Sequence, residues 1–159
     1  MTHFRSRLSS SSLRDCAVLV LAPLLVLAGC ASVPMETAQE DAKGKQFTSP
    51  PSDKGSLYVY RRGLMGATAA IPVTIAGTLQ TELAPDTWVW LQGASAPIDV
   101  KCTGTDGGAD RTVNVGPGET HFVEVAFRPG LMGSRCAVLE VPAAEGQAAV
   151  LAGHRAVGP

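Results

Sequence analysis

Cysteine is the residue type in this sequence with the most definite chemistry, because a thiol can be acylated, can form a disulfide or can bind a metal. Four cysteines occur in the chain. Cys16 and Cys30 lie within and at the end of an apolar stretch near the amino terminus, whereas Cys102 and Cys136 lie in the second half of the chain. The two pairs therefore predict different chemistry.

The first 29 residues have the composition of a secretory signal. Residues 3–14 are basic and rich in serine, and residues 16–28 form an apolar run that ends in small residues. The run is shorter than the ~20 residues that span a bilayer as a helix, and Pro23 interrupts it. We therefore favour a cleaved signal over 1–29 above the alternative, a permanent transmembrane helix.

The apolar run ends in Leu27-Ala28-Gly29-Cys30, which resembles the lipobox of bacterial lipoproteins. The resemblance implies a diacylglyceryl thioether on Cys30, cleavage before it, acylation of the new amino terminus and membrane lipid as a partner. In Gram-negative lipoproteins the residue after the cysteine influences sorting, and Ala31 in place of an aspartate implies the periplasmic face of the outer membrane. Exposure at the cell surface stays an alternative to this location. The alternative is an ordinary signal in which Cys30 is incidental.

The second pair of cysteines, Cys102 and Cys136, predicts a disulfide. Two cysteines in an exported domain usually pair, because the periplasm is oxidising. The strand pattern argues in the opposite direction. Cys102 shares the apolar face of its strand with Val100, whereas Cys136 is in phase with Glu140 and out of phase with the more apolar set that contains Leu139. The two thiols on different faces therefore remain an alternative to the disulfide.

The other reactive residue types do not assemble a site. His121 and His154 are the histidines after the signal, and with two paired cysteines they cannot close a zinc site without carboxylates. His121 alternates with valines, which predicts a strand end or core margin. The chain contains no Gly-x-Ser-x-Gly sequence, and 104–110 reads as a hairpin loop, since it lacks the ligands of a P-loop or calcium loop. We predict a protein that is not an enzyme and binds no metal or cofactor.

The charge balance argues against nucleic-acid binding. The whole chain carries a formal charge of −1, and the predicted signal holds three arginines and one aspartate, a net of +2. The remainder therefore carries −3. A domain with a net negative charge does not attract the phosphate backbone of nucleic acids.

The elements that would position these residues are strands. From Gly55 onward apolar and polar residues alternate with period two, interrupted by turn-forming residues. The pattern predicts an all-β, antiparallel sandwich over 55–159, with seven or eight short strands. An Ala-rich segment, 143–154, is compatible with a short C-terminal helix weakened by Gly146. The predicted strands are 56–61, 71–75, 79–83, 87–92, 97–102, 111–115, 120–127 and 134–141.

A polar segment separates the predicted lipid anchor from the predicted sandwich. Residues 37–43 are compatible with one or two helical turns, and Pro50 and Pro51 end any helix and favour an extended chain. We therefore predict a lipidated, flexible tether over 30–54.

Paired aromatic residues give the one sequence hint of a binding surface. Tyr58 and Tyr60 share a strand face with Arg62, and Trp88 and Trp90 share another. Such pairs stack on sugars or anchor partners, but they also form the core of small sandwiches. Arg61 and Arg62 precede a Gly-rich loop, which fits a basic surface or a solvated turn equally well. Core and surface remain alternatives for these residues.

Several short segments follow the lipobox in a recognisable order. They are 57–62 (Leu-Tyr-Val-Tyr-Arg-Arg), 64–66 (Leu-Met-Gly), 72–77 (Pro-Val-Thr-Ile-Ala-Gly), 116–123 (Gly-Pro-Gly-Glu-Thr-His-Phe-Val) and 130–132 (Gly-Leu-Met). In this order the chain resembles the small lipoproteins grouped as domain of unknown function 2846. The strand and turn pattern is also similar to transthyretin-like, immunoglobulin-like and PEGA-type sandwiches, which usually serve as spacers or interaction surfaces. That likeness concerns the fold and does not fix a function.

The sequence thus predicts a lipid-anchored envelope protein with a structural or protein-interaction role and another envelope protein as a partner. The alternative is a module that binds an envelope glycan, lipid or peptide through Tyr58 and Tyr60 or through Trp88 and Trp90. Exposed tryptophans beside a groove would favour the binding module. A hydrolase with an unfamiliar arrangement is a third class, and a carboxylate pair converging in a cleft would favour it.

Overall fold

The computed structural model describes residues 32–158 except 64, 67 and 95, so the predicted signal, Cys16 and Cys30 lie outside the described residues. Strands predominate in this range, where the chain forms nine of them and two helices. The elements are α1 (Ala38–Gly44), β1 (Gly55–Arg61), β2 (Ile71–Ile75), β3 (Leu79–Leu83), β4 (Thr87–Ala94), β5 (Pro97–Cys102), β6 (Ala109–Asn114), β7 (Thr120–Pro129), β8 (Ser134–Val141), α2 (Ala143–Ala152) and β9 (His154–Arg155).

The strands form two sheets that pack face to face. One sheet has the order β8-β7-β1-β4-β9 and the other β3-β2-β5-β6. Most neighbours are antiparallel, but β1 pairs with β7 and β4 pairs with β9 in parallel. The predicted all-β, mainly antiparallel sandwich is therefore confirmed, and eight of its strands lie at or within a few residues of the predicted positions.

The centre of the five-stranded sheet is buried on both faces, because the second sheet covers one face and the helices cover the other. Every residue of β1 is buried as a result. Alternate residues of this sheet therefore enter two different cores. The inner core, between the sheets, is mostly aliphatic and includes Leu57, Val59, Val89, Val123 and Val125. The outer core, under the helices, is mostly aromatic and comprises Tyr58, Tyr60, Trp88, Trp90, Phe122 and Val150, with Phe47 packed against it.

Both helices approach the outer core through a glycine. Gly44 at the end of α1 lies so close to Trp88, and Gly146 in α2 so close to Phe122, that a β-carbon at either position would overlap the aromatic ring. The sequence interpretation saw Gly146 only as a weak point of the helix. In the structure it permits close packing of that helix on the sheet. None of the helices in the described part of the chain is long and apolar enough to cross a membrane.

The segment predicted as a flexible tether is instead packed against the sandwich over 33–47. Val33 is buried in the inner core, Met35 forms a β-bridge with Ala156, and Phe47 packs on the outer core. The polar composition of the segment was misleading, because its acidic residues have partners on the domain. The carboxylate of Asp41 accepts from the backbone N–H of Arg155 at 2.7 Å. The prediction of a free tether over 30–54 is therefore wrong for these described residues.

The loops after β1, β5 and β7 lie at one end of the sandwich, which we call the apical end. The parallel pairing of β1 with β7 points both strands toward this end. β7 continues five residues past its last paired residue, Glu124, and Gly66 of the loop after β1 lies against Phe127. The loop after β5 joins them through a hydrogen bond from the backbone N–H of Asp106 to the carbonyl of Ser134, at 2.8 Å. β9 is parallel to β4 and therefore antiparallel to β1, so it runs away from the apical end. Residues 33–36 pair antiparallel with the chain at Ala156, which follows β9, and they therefore run toward the apical end.

Candidate functional site

Cys102 and Cys136 form a disulfide in the structure. Their Cα atoms are 6.2 Å apart, and both side chains are buried in the inner core. The concern that Cys136 faces away from Cys102 is wrong. Cys136 and Val138 point between the sheets, whereas Leu139 on the opposite face of β8 is exposed. The disulfide fastens β5 of one sheet to β8 of the other, so it stabilises the fold close to the apical end.

The aromatic residues proposed as a surface lie in the outer core instead. Tyr58, Tyr60 and Trp88 are almost fully buried, and Trp90 is only 8% exposed. Tyr58 stacks between Trp90 and Phe122, with ring centroids 5.3 Å and 5.0 Å away. As a surface the prediction is wrong, and the alternative, a core, is confirmed. The physical reason is that α1 and α2 cover the face of the sheet that these residues occupy.

Arg61 is a buried cation that holds the loop between β1 and β2. Its guanidinium donates to the carbonyl of Ala69 at 2.7 Å, Gly66 at 2.8 Å and Leu83 at 3.0 Å. Burial lowers the pKa of Arg61 from its ordinary value. Hydrogen bonds to carbonyl dipoles compensate a buried charge in part. Arg61 therefore orders a loop, and it is not available to a partner as the sequence interpretation allowed.

Arg62, by contrast, is exposed and links two elements that border the outer core. It bonds both carboxylate oxygens of Glu124 at 3.0 Å and a carboxylate oxygen of Glu145 at 2.5 Å. The hydrogen bonds to Glu124 and Glu145 raise its pKa. Glu124 belongs to β7 and Glu145 to α2, so Arg62 connects the sheet to the helix. Its partners within the domain account for its position without an external ligand.

The phenols of the outer core are protected from ionisation. Burial raises the pKa of Tyr58 to about 12 and that of Tyr60 to about 12. The hydroxyl of Tyr58 donates to the carbonyl of Gly44 at 2.9 Å. Tyr60 has no hydrogen-bond partner for its hydroxyl among the described residues. Tyr58 therefore fastens the end of α1 to the sheet, and neither phenol is poised for proton transfer near neutral pH.

His121 lies at the margin of the inner core, as the alternation with valines predicts. Its ring bonds Glu140 at 2.7 Å and Glu119 at 3.0 Å, and Glu140 approaches Arg111 of the other sheet at 3.7 Å. Partial burial opposes the charged ring, but the hydrogen bonds to the two carboxylates outweigh it and raise the pKa of His121. The hydrogen bonds from His121 and from the N–H of Gly116 lower the pKa of Glu119. This cluster closes the rim of the sandwich.

No group of three or more His, Cys, Asp or Glu side chains within 32–158, as far as the structure describes it, is placed to hold a metal ion. Residues 103–108 connect β5 to β6, which confirms a hairpin loop for most of the predicted segment 104–110, whereas Ala109 and Asp110 belong to β6. The contribution of this loop was missed, however. The carboxylate of Asp106 accepts from the backbone N–H of Leu131 at 2.6 Å, and Thr105 Oγ1 accepts from that of Ser134 at 2.9 Å. The loop therefore supports the hairpin between β7 and β8.

A cleft of about 300 Å³ opens at the edge of the outer core. Trp90 forms part of its wall, and the indole N–H of Trp90 donates to the hydroxyl of Ser56 at 2.5 Å. The guanidinium of Arg155 lies 5.5 Å from the centre of the Trp90 ring and Tyr58 stacks on the ring, so the cleft meets little of its aromatic face. Lys43 and residues with amide, hydroxyl or apolar groups line the rest. They include Gln46, Thr48, Ser49, Pro50, Pro51 and Gln92.

Two apolar residues at the apical end went unnoticed as a candidate site. Leu131 is 97% exposed and Met132 is 94% exposed, in the short loop between β7 and β8. The sequence interpretation used Gly130-Leu131-Met132 only as part of a family pattern. Two large apolar residues between turn glycines in a predicted hairpin were the signal that could have drawn attention to them.

Comparison with known proteins adds little about activity. An uncharacterized protein of Haemophilus influenzae is 24% identical over 131 residues, which cover 82% of this chain and 78% of that protein. No family model matches the chain, and no solved structure matches it. The similarity extends over most of the described domain, but the name of the relative assigns no reaction, ligand or partner.

Proposed function

We propose that this chain is a lipid-anchored protein of the bacterial envelope whose sandwich domain serves a non-catalytic, structural or protein-interaction role. The observation that carries the proposal is the sequence Leu27-Ala28-Gly29-Cys30 at the end of the apolar run. Ala31 supports sorting to the outer membrane, facing the periplasm. We also propose membership of the lipoproteins grouped as domain of unknown function 2846, on the segments that resemble that family.

The disulfide supports an exported protein, because such bonds persist in oxidising compartments. Cys102 and Cys136 are buried in the inner core and lie in different sheets. A bond in that place, once formed by oxidation of the two thiols, contributes to the stability of the fold. Because Cys102 and Cys136 are paired and Cys16 lies within the predicted signal, Cys30 is the cysteine that remains for the proposed lipid anchor.

The lipid anchor is tested by Cys30→Ser in cells labelled with palmitate. We expect the mutant to lose the label and to leave the membrane fraction, whereas Cys16→Ser should keep both, since Cys16 lies within the predicted signal. Undiminished label on Cys30→Ser would refute the lipidation. Separation of inner and outer membranes then locates the labelled wild-type protein.

A second candidate function is the binding of an envelope glycan, lipid or peptide, and the cleft beside Trp90 supports it. Its size is at the low end of small-molecule sites, and it combines an indole with amides and hydroxyls. Fluorescence titration with envelope glycan fragments, phospholipid and peptides tests it. The signal should persist in Trp88→Phe, because Trp88 does not line the cleft, and vanish in Trp90→Phe. A response carried by Trp88 would argue against binding there.

A further inference from the structure

The apical end presents a pair of apolar side chains, Leu131 and Met132, which we call the apical tip. Single exposed apolar residues are ordinary on protein surfaces, but these two are adjacent and almost entirely exposed, at 97% and 94%. Met65, in the loop that Arg61 holds, is also exposed at the same end. Burial of a leucine or methionine against an apolar surface is favourable, so the tip offers free energy that the isolated domain does not use.

The backbone of the apical tip is held in place by hydrogen bonds. The N–H of Gly130 donates to the carbonyl of Gly133 at 2.8 Å, and that of Leu131 donates to Asp106 at 2.6 Å. Ser134 is held by Thr105, and the disulfide joins Cys102, just before one of these two loops, to Cys136, just after the other. A loop that is already ordered loses little conformational entropy when it binds, which favours recognition by the tip.

Two arginines flank the apical tip. Arg128 and Arg135 stand opposite each other in the register of β7 and β8, and both are exposed. Neither forms a salt bridge with a carboxylate of the described residues. Like charges directly opposite each other are destabilising in a strand pair. The pair of cations is therefore complementary to an external negative charge.

We propose that the apical tip docks into an apolar pocket of another envelope protein, with Leu131 and Met132 as anchors and Arg128 and Arg135 against carboxylates at the rim of that pocket. The proposal rests on the proposed role of the chain as an anchored interaction module, and it identifies the surface and the chemistry of the partner.

A protein fits the geometry better than a lipid surface does. Residues 33–36 run toward the apical end, and Cys30 precedes Val33 by three residues, which span about 10 Å at most. The register across the sheet places Arg155, the partner of Glu36, level with Glu124 of β7. Leu131 lies seven residues beyond Glu124, which corresponds to about 23 Å toward the apical tip. The apical tip and a membrane anchor on Cys30 are therefore far enough apart to contact different molecules.

The test places a photo-crosslinking amino acid at position 131 of the full chain in its native cells, with position 139 as the matched control. Leu139 is an exposed leucine on the outward face of β8. We expect a discrete heteromeric protein adduct at 131 that is absent at 139 and is lost in Arg128→Glu/Arg135→Glu. The partner so identified, when purified, should bind Leu131→Ser/Met132→Ser and the charge-reversed variant at least tenfold more weakly than wild type. Lysines in place of its rim carboxylates should restore binding of the charge-reversed variant.

Other outcomes overturn the proposal. Equal adducts at 131 and 139, no adduct at 131, or an adduct with a second copy of the chain would each do so. So would sedimentation of Cys30→Ser chain with phosphatidylglycerol–phosphatidylethanolamine vesicles that is lost on Leu131→Ser/Met132→Ser, because it would identify a lipid surface as the target. Failure of palmitate labelling on Cys30 with a persistent adduct at 131 would refute the anchor and leave the docking surface intact.

Discussion

Alternate residues of β1, β4 and β7 enter the inner and the outer core of the sandwich, and the two cores differ in composition and in the elements that cover them. The inner core is aliphatic, lies between two sheets and contains a disulfide. The outer core is aromatic and is closed by two short helices that touch it through glycines. One strand, β7, supplies Phe122 to the outer core and Val123 to the inner core. The comparison teaches that small covering elements can convert an apparent binding face into a second core.

The largest expected effect is in the outer core. Phe122 stacks on Tyr58 and supports Gly146 of α2, so Phe122→Ala should lower the free energy of unfolding by about 3–5 kcal/mol. The adjacent Val123→Ala removes less volume from the inner core and should cost roughly 1–3 kcal/mol. Urea denaturation followed by far-UV circular dichroism measures both. A smaller loss for Phe122→Ala than for Val123→Ala would mean that the outer core is not part of the cooperative unit.

Removal of the disulfide tests the inner core. Cys102→Ala/Cys136→Ala opens a loop of 34 residues and should lower the free energy of unfolding by about 3–4 kcal/mol in the chain-entropy model. Wild-type protein unfolded in the presence of a reductant should show a comparable loss, which serves as the control. A change of less than about 1 kcal/mol would indicate that the non-covalent contacts of the inner core suffice.

Gly44→Ala tests whether the close contact of Gly44 with Trp88 outweighs the higher helix propensity of alanine. A β-carbon there overlaps the ring of Trp88, so we expect a loss of about 1–3 kcal/mol from overpacking. Without that contact, alanine in a helix would be more stable than glycine by up to about 1 kcal/mol, so the sign of the change decides. Amide hydrogen exchange should show faster exchange confined to 33–47. Gln39→Ala, at an exposed position of α1, provides the control that should change neither quantity.

The smallest expected effect concerns the rim of the inner core. Because the pKa of His121 is raised in the folded protein, its contribution to stability is fully present below about pH 6.5 and is lost as the pH rises through the raised value. The ion pair between His121 and Glu140 is partly exposed, so its contribution to the free energy of unfolding should stay below about 1 kcal/mol. Urea midpoints between pH 5.5 and 8.5 should show this slope in wild type and His154→Gln but not in His121→Gln. An unchanged slope in His121→Gln would assign it to other groups.

Local patterns in the sequence predicted most of the strands, because period-two alternation and turn residues are short-range signals. β2, β3, β5 and β8 have the predicted bounds. The parallel pairing of β1 with β7 and the two-residue strand β9 were not predicted, since they depend on contacts between residues far apart in the chain. The same limit explains the misreading of Cys136. The face of β8 that points inward is set by β7 and by the second sheet.

The candidate sites were harder to predict than the fold because exposure is a tertiary property. Alternation placed Trp88 and Trp90 on one face, which is correct, but it does not reveal that α1 and α2 cover that face. Conversely, Leu131 and Met132 read as ordinary apolar residues of a hairpin, and only the structure shows that nothing in the described domain covers them. Cys30 lies outside the described residues, so its lipidation stays a prediction.

The packing of 33–47 has a mechanical consequence. A pulling force applied at an anchored Cys30 would first load the buried side chain of Val33. It would then load the backbone hydrogen bonds that Val157 donates to Pro34 at 2.9 Å and Glu36 donates to Arg155 at 3.0 Å. These bonds and the contacts of Gly44 and Phe47 can break in succession while the disulfide keeps the two sheets joined. Release of the fifteen residues 33–47 would add about 50 Å of extensible chain. The segment would thus stay packed against the sandwich in the absence of force, and under tension it would lengthen the connection between Cys30 and the sandwich.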